Sequence, residues 1–298
     1  MAITFGDINV NGWYFGDQAI EALYYGDTEV WSSTPTRDYS KEYLTFKINS
    51  TGNLRFASIN STNIRTIEYS KDSGTTWTQV DSSTGNQSAP FTGGTMIPVS
   101  QGDIVMLRGA ANNYGSSMYY NGFEGTDVSF EVYGNIISLI YGSSFTGQTS
   151  IPASSYNFRN FFSSCSGLTS MENLVLPNNT KDHCFSWFAQ HCTSLTKTPE
   201  LPATTLATGC YRAMFRNTAI TDSPIIPDAT VSNECCRGMF DSCSALTGIT
   251  CYCASPSDNA FSGWVNGVAT SGTFTKAAGA NWSTGVSGIP ANWIVVEV

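Results

Sequence analysis

A unit of about 25 to 27 residues recurs in the second half of this chain, and no other feature limits so strongly what the chain can fold into. It first stands as Phe161-Phe162-Ser-Ser-Cys165-Ser-Gly-Leu168 and returns as Phe188-Ala189-Gln-His-Cys192-Thr-Ser-Leu195. It continues as Met214-Phe215-Arg-Asn-Thr-Ala-Ile220 and as Met239-Phe240-Asp-Ser-Cys243-Ser-Ala-Leu246. A second landmark keeps step with it, as Leu176-Pro177, Leu201-Pro202 and Ile226-Pro227. A third is the cysteine at Cys184, Cys210 and Cys235, twice followed by an aromatic residue.

One such unit cannot bury its apolar face alone. Stacked neighbours bury it continuously, so the period predicts a solenoid stabilised by adjacent coils. In each coil the spacing predicts a short helix, such as Cys210–Phe215, with an extended Leu-Pro segment as the opposite wall. Cys165, Cys192 and Cys243 then form one internal column, and Cys184, Cys210 and Cys235 another. Free cysteine suits these places as a small buried apolar side chain. The alternatives are disulfides or a zinc site built on Cys235-Cys236 or Cys251-Tyr-Cys253, although neither pair has the usual gap between two thiolate ligands. In the third unit Thr218 stands near the cysteine position, where its hydroxyl would bond the local backbone.

The chain has 298 residues, enough for more than one core, and 41% hydrophobic against 12% charged residues with 27 Gly, a turn-rich β composition. A formal charge of -9 with only 14 scattered basic residues argues against a nucleic-acid partner. Met1–Asp7 lacks the basic and apolar run of a signal peptide, and no apolar stretch approaches the roughly 18 residues of a membrane span. The expectation is a protein made in a cytoplasm without membrane insertion.

From about Tyr39 to Gly134 the residues alternate as strands do, for example Leu44-Thr-Phe46-Lys-Ile48, which predicts a small β-sandwich. Within it Ser70, Asp72, Gly74 and Trp77 match the Asp-box hairpin of sialidase propellers. A single box makes no propeller, and the simpler reading has Asp72 and Gly74 shaping a turn while Trp77 fills the core. Tyr114, Tyr119, Tyr120 and Phe123 are read as core and loop packing, with a sugar-binding platform as the alternative. At the N-terminus Tyr14-Phe15-Gly16-Asp17 is echoed by Tyr24-Tyr25-Gly26-Asp27, which leads to Trp31. Gly-Asp between apolar runs signals a hairpin, and so small a piece must dock on something.

Cys192–Ala207 and the recurring Met-Phe and Leu-Pro landmarks resemble the BspA-type leucine-rich-repeat proteins of Bacteroides-group gut bacteria and their phages. Gly134–Gly142, Ser271–Lys276 and Gly288–Trp293 extend the likeness over roughly residues 40–298. The first hairpins look like the heads of gut-phage structural proteins, which serve in attachment or oligomerisation. The resemblance implies surface adhesion and protein binding. The expected fold is mainly β with short helices: an attachment module over residues 1–34, a β-sandwich over 35–135, a leucine-rich-repeat solenoid over 136–254 and a cap over 255–298.

The corresponding function is a virion appendage (head fibre, decoration or tail-associated fibre) of a phage infecting gut bacteria. It would join other virion proteins through Tyr14, Gly16, Asp17, Tyr24, Gly26, Asp27 and Trp31, and a host surface protein or glycan through the solenoid. Homo-oligomerisation is expected, a trimer being a common form of fibre. The alternatives are a bacterial cell-surface adhesin of the same repeat family and a glycan-active enzyme. Neither His183-Cys184 nor His191-Cys192 lies in an activating motif, so no catalytic residue, metal or cofactor is expected.

Overall fold

The computed structural model describes residues 13–15, 18–20, 22–25, 28–32, 37–59, 64–86, 92–152, 154–254, 256–257 and 259–298. It is mainly β, with 29% strand against 4% helix, and contains a β-solenoid. Two compact units divide it, Met1–Asp38 and Tyr39–Val298.

In the first unit, β1 (Trp13–Phe15) pairs antiparallel with β2 (Gln18–Ile20), and β3 (Ala22–Tyr25) with β4 (Thr28–Ser32). Phe15 stands opposite Gln18 and Tyr25 opposite Thr28, as a Gly-Asp hairpin signal requires. Tyr14, Tyr24 and Trp31 lie on these strands, whereas Gly16, Asp17, Gly26 and Asp27 lie outside the described residues.

The second unit opens with β5 (Leu44–Ile48), β6 (Gly52–Ser58), β7 (Thr66–Ser70), β8 (Thr78–Asp81), β9 (Ser83–Thr84), β10 (Thr95–Val99), β11 (Ile104–Gly109), β12 (Asn121–Gly122) and β13 (Phe130–Asn135). One sheet runs β13-β5-β11-β7-β8, and a second runs β10-β6-β12 with β9 also on β6. Alternation decides which side chains go inward: Leu44, Phe46 and Ile48 are buried while Lys47 reaches out to Glu131 at 3.2 Å. Phe123 meets Phe46 at 4.8 Å and Phe56 at 5.2 Å, which joins residues of both sheets in one core.

β13 belongs to two kinds of ladder. It is antiparallel to β5 on one edge and parallel to β14 (Leu168–Ser170) and β15 (Leu174–Val175) on the other. Parallel neighbours need a long return path, and that path is the first coil of the solenoid. Residues 35–135 and 136–254, expected as separate parts, therefore share a strand and a hydrophobic core. Phe162 of the first coil lies 5.8 Å from Phe46.

The helix expected over Cys210–Phe215 is absent, and consecutive turns replace it. The cause is a division of backbone N–H groups. Phe185, Trp187, Ala189 and His191 donate to the carbonyls of Cys210, Arg212, Met214 and Arg216 in the next coil, at 2.7 to 2.9 Å. Cys184, Ser186, Phe188, Gln190 and Cys192 donate to the carbonyl three residues back. A helix would turn every N–H onto its own coil and leave none for the neighbour. The same alternation recurs in the following two coils. It needs a left-handed residue at every fourth position, at His183, Trp187 and His191 (φ 56, 57 and 60°) and again at Gly209, Ala213 and Asn217 (φ 59, 50 and 55°).

Rung bonds in this register stack like positions into columns. One contains Tyr114, Phe158, Phe185 and Tyr211, with successive ring centroids 5.6 to 6.2 Å apart. Another contains Phe123, Phe162, Ala189, Phe215 and Phe240. Opposite them β16 (Thr205–Leu206) pairs parallel with β17 (Thr230–Val231), and Leu176, Leu201, Ile226 and Cys251 are buried. Pro177, Pro202 and Pro227 hold equivalent positions but are buried, exposed and half-buried in turn. In residues 255–298, expected as a cap, β19 (Thr273–Lys276) and β20 (Ile294–Glu297) continue a parallel ladder that starts at β18 (Gly248–Cys251).

All nine cysteines are buried and free. Cys165 donates its thiol to the Phe123 carbonyl of the front half, and Cys192 and Cys243 donate theirs to the carbonyls of Phe162 and Phe215 in the preceding coil, at 2.8 to 3.0 Å. At the same position in the third coil, the Thr218 hydroxyl bonds the Phe215 carbonyl at 2.9 Å. A small side chain with one weak donor thus satisfies a carbonyl inside an apolar stack. Burial pushes the Cys184 thiol up to about 12. A water-soluble thiol reagent is expected to label none of the nine in the folded chain and all of them in denaturant. Fast labelling of Cys192 or Cys210 under native conditions would contradict this packing.

Glu124 is buried beside the first coil, where Tyr120 donates its hydroxyl to one carboxyl oxygen at 3.0 Å. Burial pushes its carboxyl up to about 7, against the pull of the Tyr120 hydrogen bond and the Arg55 charge. The folded chain therefore holds this proton more tightly than the unfolded chain does. Stability contributed here is complete below about 4.5 and declines as pH rises toward about 7. Glu124→Gln is expected to stabilise the fold by roughly 2–3 kcal/mol at pH 8 and to flatten that slope, as read by denaturant titration across pH.

Candidate functional site

Phe158 is left-handed and lies in the core, but another column of left-handed residues runs along the outer face of the turn strip. It comprises Asn160, Trp187, Ala213, Gly238 and Gly263, with φ of 55, 57, 50, 61 and 62°. Glycine takes this conformation freely, whereas a bulky side chain is strained there by about 1–2 kcal/mol. Ala213, Gly238 and Gly263 leave a trough along the solenoid, and the Trp187 indole closes one end. Arg212, Arg237 and Ser262 form one wall and Arg216, Asp241 and Asn266 the other, around a volume of about 330 Å³.

Charge on this face is ordered. The guanidiniums of Arg159 and Arg212 lie 4.8 and 5.0 Å from the centre of the Trp187 ring. Glu234 accepts from Arg212 at 3.0 Å and from Arg237 at 2.6 Å. Asp241 accepts from Arg216 at 2.9 Å through one oxygen and from the Asn266 amide at 2.9 Å through the other. These pairs leave further N–H groups on Arg216 and Arg237 without a partner among the described residues. Such ion pairs on a surface contribute little stability, but they fix the forks in direction.

The two histidines share this face. His183 stacks on Tyr156 at 4.9 Å, and His191 meets the Asn217 amide at 2.9 Å. Desolvation lowers the pKa of both, with the charge of Arg212 or Arg216 next in effect. Their sequence neighbours Cys184 and Cys192 are fully buried, with thiols pushed far from the thiolate. Neither pair is arranged as an activated nucleophile. Among the described residues no group of three or more His, Cys, Asp or Glu could hold a metal ion, and no helix is long and apolar enough to cross a membrane.

The Asp-box residues form the β7–β8 turn. Asp72 accepts from the Thr76 backbone N–H at 2.9 Å and hydroxyl at 2.6 Å and from the Ser70 hydroxyl at 2.7 Å, bonds that hold its carboxyl near a pKa of about 2. Gly74 takes φ 82°. Trp77 does not fill the core as expected: it is half-buried at the edge, between Tyr43 at 5.0 Å and the Arg108 guanidinium at 4.1 Å. Arg55, Arg65 and Arg108 each have partners of their own. Arg55 is buried and bonds the carbonyls of Glu124 and Gly93, Arg65 bonds Asn113, and Arg108 pairs with Glu68. Tyr114, Tyr120 and Phe123 are buried and Tyr119 is half-buried beside Arg65, so the four do not form an exposed sugar platform.

Sequence reasoning missed the trough. Its signal was present as Trp187, Ala213, Gly238 and Gly263 at one step of the repeat, but those residues show no periodicity of type. A methyl added at Gly263 would meet nothing within 4 Å. Gly263→Ala is therefore expected to cost only the conformational term, about 1 kcal/mol, in thermal or denaturant unfolding. A much larger loss would mean that the column is not open here.

Comparison of the chain with protein-family models, with curated proteins and with solved structures finds no match in any of the three.

Proposed function

We propose that this chain is a virion appendage of a phage infecting gut bacteria (a head fibre, decoration or tail-associated fibre) whose solenoid is displayed for recognition of a host surface protein or glycan. The observation that carries the reading is the division into a small unit of two hairpins, Met1–Asp38, and a larger unit built on a solenoid. On this reading residues 1–34 attach the chain to other virion proteins and assemble it into an oligomer, a trimer being one form. The resemblance to BspA-type repeats supports the same division of labour.

Within it, residues 35–135 are a small β-sandwich, supported by the two sheets that meet at Phe123. Residues 136–254 are leucine-rich repeats, supported by the buried column of Leu176, Leu201 and Ile226. Residues 255–298 close the solenoid, supported by the packing of Trp282 on Trp264 at 5.4 Å. The role is binding rather than catalysis: Asp72 is engaged in its turn and the cysteines are engaged in packing.

The test is assembly. Particles produced with residues 39–298 in place of the full chain are expected to lack the protein when probed by immunoblot and electron microscopy. Incorporation at the level of the full chain would overturn the anchoring role.

A further inference from the structure

We propose that the trough floored by Ala213, Gly238 and Gly263 is a binding site for a sugar that bears a carboxylate. The inference rests on the solenoid being a recognition surface and names what that surface takes.

Three observations converge on it. The first is the Trp187 side chain. It is the aromatic member of a column whose later members are Ala213, Gly238 and Gly263, so a broad ring borders an open floor. The indole is only half-buried, outside the core, with a guanidinium on it from Arg159 and another from Arg212. Such cation–π contacts hold charged side chains in place.

The second is the concentration of positive charge. Arg159, Arg212, Arg216 and Arg237 share this face with the carboxylates Glu234 and Asp241, in a chain whose formal charge is -9. A carboxylate fits the guanidinium fork by shape as well as by charge, and Arg216 and Arg237, each with N–H groups left over, both line the same space. The third is the remainder of the lining. Asp241 and Asn266 on one wall and Ser262 on the other accept and donate, and beyond the Trp187 indole and the Ala213 methyl the apolar lining among the described residues is Val286. That set suits ring hydroxyls and does not suit a lipid or an apolar peptide anchor. At about 330 Å³ the trough is at the small end of ligand sites, room for a sugar residue and part of its neighbour. A nucleic acid would bring a run of phosphates to a wall that contains Asp241, on an acidic chain.

The experiment titrates the full chain calorimetrically with a panel of carboxylated glycans, oligogalacturonate and sialyllactose among them, and with the same glycans after their carboxyls are reduced to alcohols. Binding of at least one carboxylated member is expected, with a loss of roughly tenfold or more on reduction and on either Arg216→Ala or Arg237→Ala. Unchanged thermal unfolding of the two variants would show that they fold. Equal binding of reduced and native glycans, equal binding of an oligoglutamate peptide, or no binding to any member would overturn the proposal. Adhesion of the full chain to host cells separates this inference from the broader reading. Undiminished adhesion by the double variant would sink the trough alone, and no adhesion by the unaltered chain would sink the recognition role itself.

Discussion

Every coil of the solenoid divides its backbone donors between itself and its neighbour, and the rest of the structure follows from that division. A buried N–H without an acceptor is costly, so a chain that curls tightly and also stacks must satisfy both demands with one set of groups. Alternation meets them. N–H groups of one parity close turns, and those of the other build rungs, as Trp187 does to Arg212 while Ser186 bonds back to His183. The left-handed residue at every fourth place keeps this going without drifting into a helix. With the rungs in register, side chains have no choice but to form columns, and the columns decide where aromatic rings, thiols and open floor occur.

The same ladder explains how the front half and the solenoid hold together. A stack of repeats leaves an apolar face uncovered at its first member. Here the first coil meets a sheet through β13 and a cluster of rings in which Phe46, Phe123 and Phe162 touch. The front sheets therefore cover the face that a solenoid would otherwise show to water. Cysteine fits the interior for a related reason. Cys192 and Cys243 each reach a carbonyl of the coil before, a place where leucine would be too large and alanine would donate nothing.

What the sequence made legible was periodicity. Stacking, the two cysteine columns, the Leu-Pro wall and the two N-terminal hairpins follow from spacing alone, and the role of Thr218 followed from its hydroxyl. The conformation inside each coil did not. Apolar residues at Cys210, Tyr211, Met214 and Phe215 recur four apart, which fits the face of a helix and equally fits a turn repeated every four residues. The discriminating residues were Gly209, Asn217, Gly238 and Gly263, which accept left-handed backbone. Trp77 was misread because its distance from the centre depends on the fold of the hairpin and not on its own character. The trough escaped notice because an open floor is written in small residues, which leave no pattern in an apolar plot.

One consequence of the column register concerns change over time. Neighbouring strands of a ladder lie about 4.8 Å apart, so gain or loss of a whole repeat lengthens or shortens the outer trough by one such step and leaves each column intact. A change of one residue within a coil is absorbed locally, as between Leu195 and Ile220. The solenoid thus behaves as a ruler graduated in coils, on which a lineage can alter the reach of its surface without redesigning the interior beneath it.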